Sequence, residues 1–456
     1  MTDPYTVETK FPQAHGGKPH RLEWQTMIKH LIIGGGIGGV LTAMYLQKRA
    51  GVPSRSIRIL DPHPTLLARW HANVEACGMR YLRSSSSHVL DTDFRSLRSF
   101  AARSPGFDKG DFTPPYRRPS VRLFRAHCEH IMQECGVPEL HIKGTAQSLK
   151  RGRKGHLILE TDKGALEAKN LILSLGAGTQ PVRPDWAESA AEVQHIYDPG
   201  FRSSLASAGQ VGQVGQVGHA ASARSPTTKT AHVAIVGGGI GAAQHACMLV
   251  GRYHATVSII ARHEPTMSVF DFNPCYVGPS CLPGFLSSED YRERRRVLEQ
   301  ERYPGTLPPD VYAELQALRE SGSISWIRGE VSRIEPSHCG KSSSQVEKDT
   351  GQTTVFITPP YRDKKPQNEM RLVCDKLRLA TGFTPGFNRN PLMRQISMEF
   401  NAPFEAGGAP IPGSTLEWLS RVFLVGRAAE LEVGPPAGNI IGIHNAAKRL
   451  CSSVSV

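Results

Sequence analysis

The chain has 456 residues, enough for about three domains at ~150 residues each. Hydrophobic residues make up 39% and charged residues 21%, and the 44 glycines and 33 prolines favour a loop-rich globular protein over a coiled coil or a disordered tail. No apolar run reaches the ~18 residues that a membrane helix needs, and residues 1–29 lack the apolar segment of a secretory signal. We therefore expect a soluble, cytoplasmic protein without a membrane span.

The formal net charge of +13 is compatible with nucleic acid or an anionic cofactor as the partner. No basic module with interleaved aromatic residues accompanies this charge, so we expect no nucleic-acid partner. The nine cysteines are odd in number and contain no Cys-x-x-Cys pair. This pattern predicts neither a disulfide framework nor a metal site, and it favours reduced thiols.

The first motif is a buried strand that runs into a glycine-rich turn. The apolar run 28–33 leads into Gly34, Gly36 and Gly39 in the spacing G-x-G-x-x-G, and an apolar helix follows. Gly34 permits the tight turn, Gly36 lets the backbone approach a pyrophosphate, and Gly39 lets helix and strand pack closely. A second strand ends at Asp61, 22 residues beyond Gly39, where a carboxylate accepts hydrogen bonds from a ribose. The pattern predicts a dinucleotide site, and a glycine-rich turn without a ligand is the weaker alternative.

The same pattern recurs about 200 residues later. The strand 232–236 leads into Gly237, Gly239 and Ala242, and a helix follows. The next strand ends in Arg262 rather than in an acid. A cation at this position accommodates the 2′-phosphate of NADP, so we predict NADPH rather than NADH. A solvated charge at a strand end is the alternative interpretation of Arg262.

Two such motifs in one chain, an acid after the first and Arg262 after the second, predict an α/β protein with two Rossmann-like dinucleotide-binding domains. The first would hold a flavin and the second would deliver a nicotinamide. The strands within 377–383 and 422–426 are expected to rejoin the first domain, so the NADP domain is inserted into the FAD domain. The predicted segments are a polar arm (1–27), the first stretch of the FAD domain (28–199), a flexible low-complexity linker (200–230), the NADP domain (231–374) and the second stretch of the FAD domain (375–456).

Further residues match a known pattern; they are Ala380-Thr381-Gly382, Phe423-x-Val425-Gly426, Trp70-His71, Arg117-Arg118-Pro119-Ser120, and Ser268–Pro274 with Arg294-Arg295-Arg296. Together with the two glycine motifs, they resemble the two-dinucleotide flavoprotein monooxygenases, and more narrowly the lysine/ornithine N-hydroxylase superfamily. The resemblance covers most of residues 28–450. It implies FAD and NADPH as cofactors, with Trp70, His71 and Gly426 at the flavin site.

The sequence departs from that pattern in three places. His195 lacks the preceding Phe-x-Gly of related monooxygenases, Arg427 replaces the acid that often follows the C-terminal glycine, and the tail 430–443 does not resemble the substrate-binding tail of the ornithine enzymes. Ornithine and lysine are therefore not singled out as substrates.

The resemblance implies a monooxygenase that inserts one atom of O2 into a small molecule, with N-hydroxylation of an amine as the leading case. The flavin carries that chemistry, so no catalytic side chain is predicted. Arg83 and the serines 84–87 are added as flavin-facing candidates, and the N-terminus of the helix 440–450 is expected to face the isoalloxazine.

Three alternative functions share features of this pattern. One is an NADPH oxidase or reductase without oxygen transfer, and another is a silent nucleotide-binding regulatory protein. A disulfide reductase is disfavoured, because Cys128 and Cys135 lie ~10.5 Å apart along one predicted helix and Cys275 and Cys281 lie in the other domain.

Overall fold

The computed structural model describes residues 28–176, 180–188, 190, 192–205, 230–338, 349–359, 369–384 and 386–454. The predicted arm 1–27 and most of the predicted linker 200–230 lie outside these residues. None of the helices in the described ranges combines the length and the apolar character that a bilayer crossing requires.

Besides α-helices, the chain contains β-strands. They are β1 (Ile28–Ile33), β2 (Ile57–Asp61), β3 (Phe112–Thr113), β4 (Arg118–Pro119), β5 (His141–Lys143), β6 (Ala146–Arg151), β7 (Leu157–Thr161), β8 (Gly164–Leu173), β9 (Gln194–His195), β10 (His232–Val236), β11 (Thr256–Ala261), β12 (Thr266–Met267), β13 (Thr306–Leu307), β14 (Ile324–Arg328), β15 (Glu330–His338), β16 (Asp349–Thr358), β17 (Met370–Cys374), β18 (Lys376–Leu379), β19 (Glu417–Leu419) and β20 (Val422–Leu424). The α-helices are α1 (Ile37–Lys48), α2 (Ala68–Cys77), α3 (Ser96–Arg103), α4 (Val121–Glu134), α5 (Asp185–Glu188), α6 (Ile240–Tyr253), α7 (Leu282–Leu286), α8 (Tyr291–Glu301), α9 (Pro309–Glu320), α10 (Pro391–Phe400), α11 (Glu430–Val433) and α12 (Ile440–Val454).

The first sheet has the order β19-β20-β8-β1-β2-β5, with the hairpin β6–β7 attached to β8. β1 is parallel to both β2 and β8, and β20 is parallel to β8. The nearly continuous apolar run of β1 is typical of a strand in a parallel sheet that is buried on both faces, and every residue of β1 except Lys29 is buried. We call the portion built on this sheet, residues 28–176 and 386–454, the first lobe.

The second sheet has the order β14-β11-β10-β18-β9, and its strands are parallel. An antiparallel sheet, β15-β16-β17, extends this portion of the chain. We call residues 180–384 the second lobe. In sequence it falls between β8 and β19 of the first sheet, so the predicted insertion of one Rossmann-like domain into the other is confirmed.

Two strand assignments differ from the expectation. β18 was expected to rejoin the first sheet but pairs with β10, through contacts such as Leu379 with Val236. β9, expected in the first domain, pairs with β18 in the second sheet. The apolar residues of β18 are compatible with burial in either sheet, and β9 has only two residues, both polar, so the sequence pattern did not indicate the sheet of either strand. The exact domain boundaries stay a prediction.

The cysteines also differ in one respect from the expectation of reduced thiols. Cys275 and Cys281 form a disulfide, with their Cα atoms 5.6 Å apart. The remaining cysteines of the described residues are thiols, and all of them except Cys135 are buried. A separation of six residues in a loop gave no recognisable spacing signal, whereas the loop geometry brings the two side chains together.

Candidate dinucleotide-binding sites

The first glycine loop joins β1 to α1, and its outer glycines are packed against backbone. A Cβ on Gly34, whose φ is +106°, would lie 2.1 Å from the carbonyl oxygen of Ser174. A Cβ on Gly39 would lie 1.9 Å from the carbonyl oxygen of Gly34. Neither position has room for any side chain, so these two glycines allow the loop to form.

The middle glycine is open instead. Apart from its own neighbours in the chain, no described atom lies within 4 Å of the position that a Cβ on Gly36 would take. Gly36 is also the N-cap of α1, and no side chain caps this helix end. The first N–H groups of α1 therefore face a space that a ligand can enter, and a helix N-terminus favours an anion there.

The first sheet aligns the ends of four strands in one row. Leu424 of β20 pairs with Leu173 of β8, which pairs with Ile33 of β1, which pairs with Leu60 of β2. Ligands of open parallel sheets bind at this carboxyl edge. The row therefore places Gly426 (φ +74°), Gly34 and Asp61 along one line, in that order.

Asp61 is buried and its carboxylate holds the glycine loop. Its Oδ2 accepts a hydrogen bond of 2.6 Å from the Gly35 N–H, and its Oδ1 accepts one of 2.9 Å from the His63 N–H. Each carboxylate oxygen has a further lone pair, so these bonds leave acceptor capacity for a ribose. The predicted ribose contact stays a prediction.

The second glycine loop repeats the construction of the first. A Cβ on Gly237 (φ +133°) would lie 2.3 Å from the carbonyl oxygen of Ala380, and the corresponding position of Gly239 is open within 4 Å. Gly239 is the N-cap of α6, and again no side chain caps the helix. Ala242 stands where the first loop has Gly39 and is fully buried.

Arg262 lies directly after β11 and is exposed. Its Nε is 3.9 Å from Glu330 Oε1, and the two side chains are 73% and 70% exposed. An exposed pair at this distance holds the guanidinium weakly. Arg262 is therefore accessible at the end of the strand next to the second glycine loop, as its predicted phosphate contact requires.

Trp70 and His71 lie in the first turn of α2, next to the first glycine loop. The N–H of Leu67, the residue before α2, donates to the carbonyl oxygen of Gly35 at 2.8 Å. The ring of Trp70 packs 5.4 Å from that of Phe124, and the Nδ1 of His71 accepts from Arg125 Nε at 3.0 Å. Burial, and then the charge of Arg125, lower the pKa of His71. Their predicted flavin contacts stay a prediction.

The guanidinium of Arg83 is held by the second lobe. Its guanidinium donates to the carbonyl oxygens of Ser268, Val269 and Thr306 and to the hydroxyl of Thr306, at 2.6–3.1 Å. These acceptors all lie in the second lobe. Arg83 therefore joins the two lobes, and its predicted position facing the flavin stays a prediction. Of the serines 84–87, Ser85 and Ser86 are buried, and Ser85 and Ser87 hydrogen-bond to each other.

Other contacts between the lobes were not predicted from the sequence. Buried Arg118 donates to Asp310 Oδ1 at 2.5 Å. His245 Nε2 accepts from Arg378 at 2.9 Å, so its Nδ1 carries the proton and donates to the Ala76 carbonyl at 2.7 Å. Burial, followed by the charge of Arg378, lowers the pKa of His245 to about 3. The Arg118–Asp310 and His245–Ala76 bonds cross between the lobes and join residues that are 192 and 169 positions apart, so no local sequence signal indicates them.

Comparison with known proteins agrees with this architecture. A protein-family profile described as FAD-NAD(P)-binding matches residues 31–178, the stretch that contains the first glycine loop, Asp61, Trp70 and His71. No curated protein sequence matches the chain.

The chain is similar to several solved structures over nearly its whole length. The ornithine N-hydroxylase of Kutzneria sp. 744, with reduced FAD, NADP+ and L-ornithine, is 14% identical with a TM-score of 0.65, covering 94% of this chain and 99% of that one. The FAD-bound cadaverine monooxygenase of Erwinia amylovora is 12% identical with a TM-score of 0.63, covering 94% of each chain. The L-lysine 6-monooxygenase of Pseudomonas syringae is 16% identical with a TM-score of 0.63, covering 93% and 98%. At these identities the likeness establishes the two-domain fold.

Proposed function

We propose that the chain is an FAD-dependent, NADPH-consuming monooxygenase that transfers one oxygen atom from O2 to a small-molecule amine. The observation that carries this proposal is the pair of glycine loops, each closed at its first glycine and open at its middle one. One lies beside buried Asp61 and the other beside exposed Arg262. A protein that holds one dinucleotide permanently and admits a second one transiently needs two such loops.

The first loop fits FAD. The open position at Gly36 lets the pyrophosphate approach the backbone and the uncapped N-terminus of α1. Asp61 holds the loop through Gly35 and supplies the acceptor for the adenosine ribose. Gly426 lies at the same sheet edge, and apart from its own neighbours in the chain no described atom lies within 4 Å of the position that a Cβ on Gly426 would take. This space can receive the other half of the cofactor.

The second loop fits NADPH. The open position at Gly239 and the uncapped N-terminus of α6 receive the pyrophosphate, and Arg262 receives the 2′-phosphate. The exposed position of Arg262 suits a cofactor that binds and leaves in each turnover.

The chain's own contribution to the reaction is positional. When bound, the flavin supplies the exchange of electrons with NADPH and the activation of O2. The bonds of Arg83, the Arg118–Asp310 pair and the His245–Ala76 bond fix one lobe against the other. They thereby fix the distance between the two loops, on which transfer between the cofactors depends.

The substrate class follows from what the structural neighbours act on. Ornithine, lysine and cadaverine all carry a terminal primary amine, and cadaverine has no carboxylate. We therefore propose a primary amine without a requirement for an α-amino acid. We further propose a cytoplasmic location, where NADPH is supplied.

The test begins with the purified protein and added FAD, because a protein that stays colourless contradicts the proposal. The FAD-loaded protein is reduced with NADPH under anaerobic conditions and mixed with O2 in a stopped-flow spectrometer, with and without cadaverine, L-ornithine or L-lysine. Hydroxylamine product that accounts for the NADPH consumed supports a monooxygenase.

Two other outcomes identify the alternatives. Stoichiometric hydrogen peroxide with every amine indicates an NADPH oxidase. Binding of both nucleotides without NADPH oxidation indicates a regulatory protein. Because Cys275 and Cys281 form a disulfide, a parallel assay with a chromogenic disulfide substrate tests for reductase activity, and turnover there would also contradict the proposal.

A further inference from the structure

Arg427 stands at the carboxyl edge of the first sheet, directly after the open Gly426. It lies in a 3-10 turn, 426–429, that follows β20. Arg427 replaces the acid that often follows this glycine in the flavoprotein monooxygenases that the sequence resembles, so the charge at the position is inverted. The inversion calls for a physical explanation, because a buried ion-pair network surrounds Arg427.

The strand order determines which half of a dinucleotide passes Arg427. Asp61 ends β2, on one side of the pyrophosphate loop of β1, and β20 lies two strands away on the other side. At ~4.8 Å per strand, Gly426 lies ~10 Å from the loop, in the direction opposite to the ribose acid. An FAD bound as proposed above, on whose binding this inference rests, carries its adenosine half past Asp61. Its flavin half would therefore extend towards the side of the sheet on which Arg427 lies.

The charge of Arg427 is not neutralised by its partners. Its Nε donates to Glu430 Oε2 at 2.7 Å, and the same carboxylate also binds Arg302 at 2.6 Å and Arg295 at 2.9 Å. Arg295 has a second partner, Glu405, at 2.7 Å. Three guanidiniums thus share two carboxylates, which leaves an excess of one positive charge.

Arg427 is the most exposed of these three arginines. The side chain of Arg427 is 33% exposed, against 19% for Arg295 and 16% for Arg302. Within the described residues, the two terminal nitrogens of Arg427 have no hydrogen-bond partner. They are the donors that remain available to a ligand.

The N-terminus of α12 lies beside Arg427, and Asp271 Oδ1 accepts a hydrogen bond of 3.1 Å from Asn439 Nδ2 at this helix end. The Cδ of Arg427 lies 3.5 Å from the Cβ position of Gly438, two residues before α12 begins. Ile443, in the first turn of α12, lies 3.8 Å from the Cβ position of Gly38 in α1. The N-termini of α1 and α12 are therefore neighbours, and both carry partial positive charge.

We propose that the charge of Arg427 stabilises the negative charge of the reduced flavin. Reduction by NADPH moves two electrons and one proton to the flavin and releases NADP+. Bound FAD that is reduced in this way without uptake of a second proton would carry one negative charge. A cation nearby favours this charged form over the neutral oxidised form and so raises the reduction potential.

The experiment measures the two-electron midpoint potential of the bound FAD by anaerobic dye-coupled reduction, in wild type and in Arg427→Ala, Arg427→Lys and Arg427→Asp. Without the cation, the affinity for reduced FAD should fall roughly tenfold to a hundredfold relative to that for oxidised FAD. This ratio corresponds to a potential ~30–60 mV lower. Arg427→Lys should keep most of the wild-type potential, and Arg427→Asp should lower it further than Arg427→Ala.

The matched control is Arg449→Ala. Arg449 is similarly exposed, at 27%, and pairs with Glu432 at 3.3 Å in the neighbouring network, and its loss should leave the potential unchanged. Equal potentials in all the Arg427 variants would overturn the inference. An equal loss of affinity for oxidised and for reduced FAD would also overturn it. That result would show that Arg427 stabilises the fold or binds the dinucleotide in both oxidation states. A wild-type protein that binds no FAD contradicts the proposed function itself, which keeps the two failures distinct.

Discussion

The two glycine loops are built alike at their first two positions and differently at the third. Gly34 and Gly237 both press against the carbonyl oxygen at the end of a neighbouring strand, and Gly36 and Gly239 are both open. The first loop then requires Gly39, whereas the second accepts a methyl group at Ala242. The tighter loop is the one proposed to hold its cofactor permanently.

The charged residue beside the first loop is also held more firmly than the one beside the second loop. Asp61 is buried and fixes the first loop through a 2.6 Å bond to Gly35. At the second loop Arg262 is exposed and 3.9 Å from Glu330. A rigid site suits a resident cofactor, and an accessible charge suits a transient one. Two sites with one sequence motif are therefore distinguished by what surrounds the motif.

The largest effect is expected at the third position of the motif. Gly39→Ala places a methyl group 1.9 Å from a backbone oxygen, so the loop must open. We expect a loss of ~3 kcal/mol or more in the free energy of unfolding, together with loss of bound FAD. Ala242→Gly removes a methyl group from a helix and should cost only ~1 kcal/mol. Thermal unfolding measures the change in stability, and the flavin content of the purified protein measures FAD binding. Equal losses of stability in the two variants would contradict the proposed difference between the loops.

The second-largest effect is expected at the middle glycine of each loop, where a substitution should change ligand binding but not stability. Gly36→Ala and Gly239→Ala add a methyl group to open space, at residues with negative φ that alanine adopts without strain. Each should change the unfolding free energy by less than ~1 kcal/mol. Gly36→Ala should weaken FAD roughly tenfold or more and leave NADP+ binding intact, and Gly239→Ala should do the reverse. Calorimetric titration of each variant with both nucleotides measures this, and loss of both ligands in one variant would contradict separate sites.

The sequence predicted those features of the two loops that depend on residues close together in the chain. Strand, glycine spacing and helix are local, so both loops and the inserted second domain were predictable. Arg262 was placed correctly at the end of β11. The sheet to which β18 belongs was not predictable, because its apolar residues suit burial in either sheet.

Long-range contacts account for most of the other differences. Arg83 binds acceptors 185 to 223 residues away in the second lobe, and a run of arginine and serines near a flavin motif does not reveal them. The Cys275–Cys281 disulfide depends on the path of its loop. Such contacts follow from how the lobes and loops pack, which the sequence pattern alone does not encode.

A smaller effect is expected at the cofactor-selecting charge. Arg262→Ala removes the proposed partner of the 2′-phosphate, so the Kd for NADPH should rise ~10- to 100-fold while that for NADH changes by less than about threefold. Rates of flavin reduction at varied concentrations of each nucleotide give both affinities. Equal weakening of NADPH binding and NADH binding would show that Arg262 does not bind the 2′-phosphate. Arg328→Ala, at the end of the adjacent strand β14, is the matched control.

The smallest effect is expected at the partner of Arg262. Glu330→Gln removes an exposed pair whose two atoms are 3.9 Å apart, and such pairs contribute ~0–1 kcal/mol. Stability should therefore stay unchanged, while NADPH should bind up to about threefold tighter because the competing carboxylate is gone. The gain should vanish at high salt, since both partners are exposed to screening. A gain that also appears with NADH, or one that survives in the Arg262→Ala background, would mean that Glu330 acts on the cofactor by a route other than Arg262.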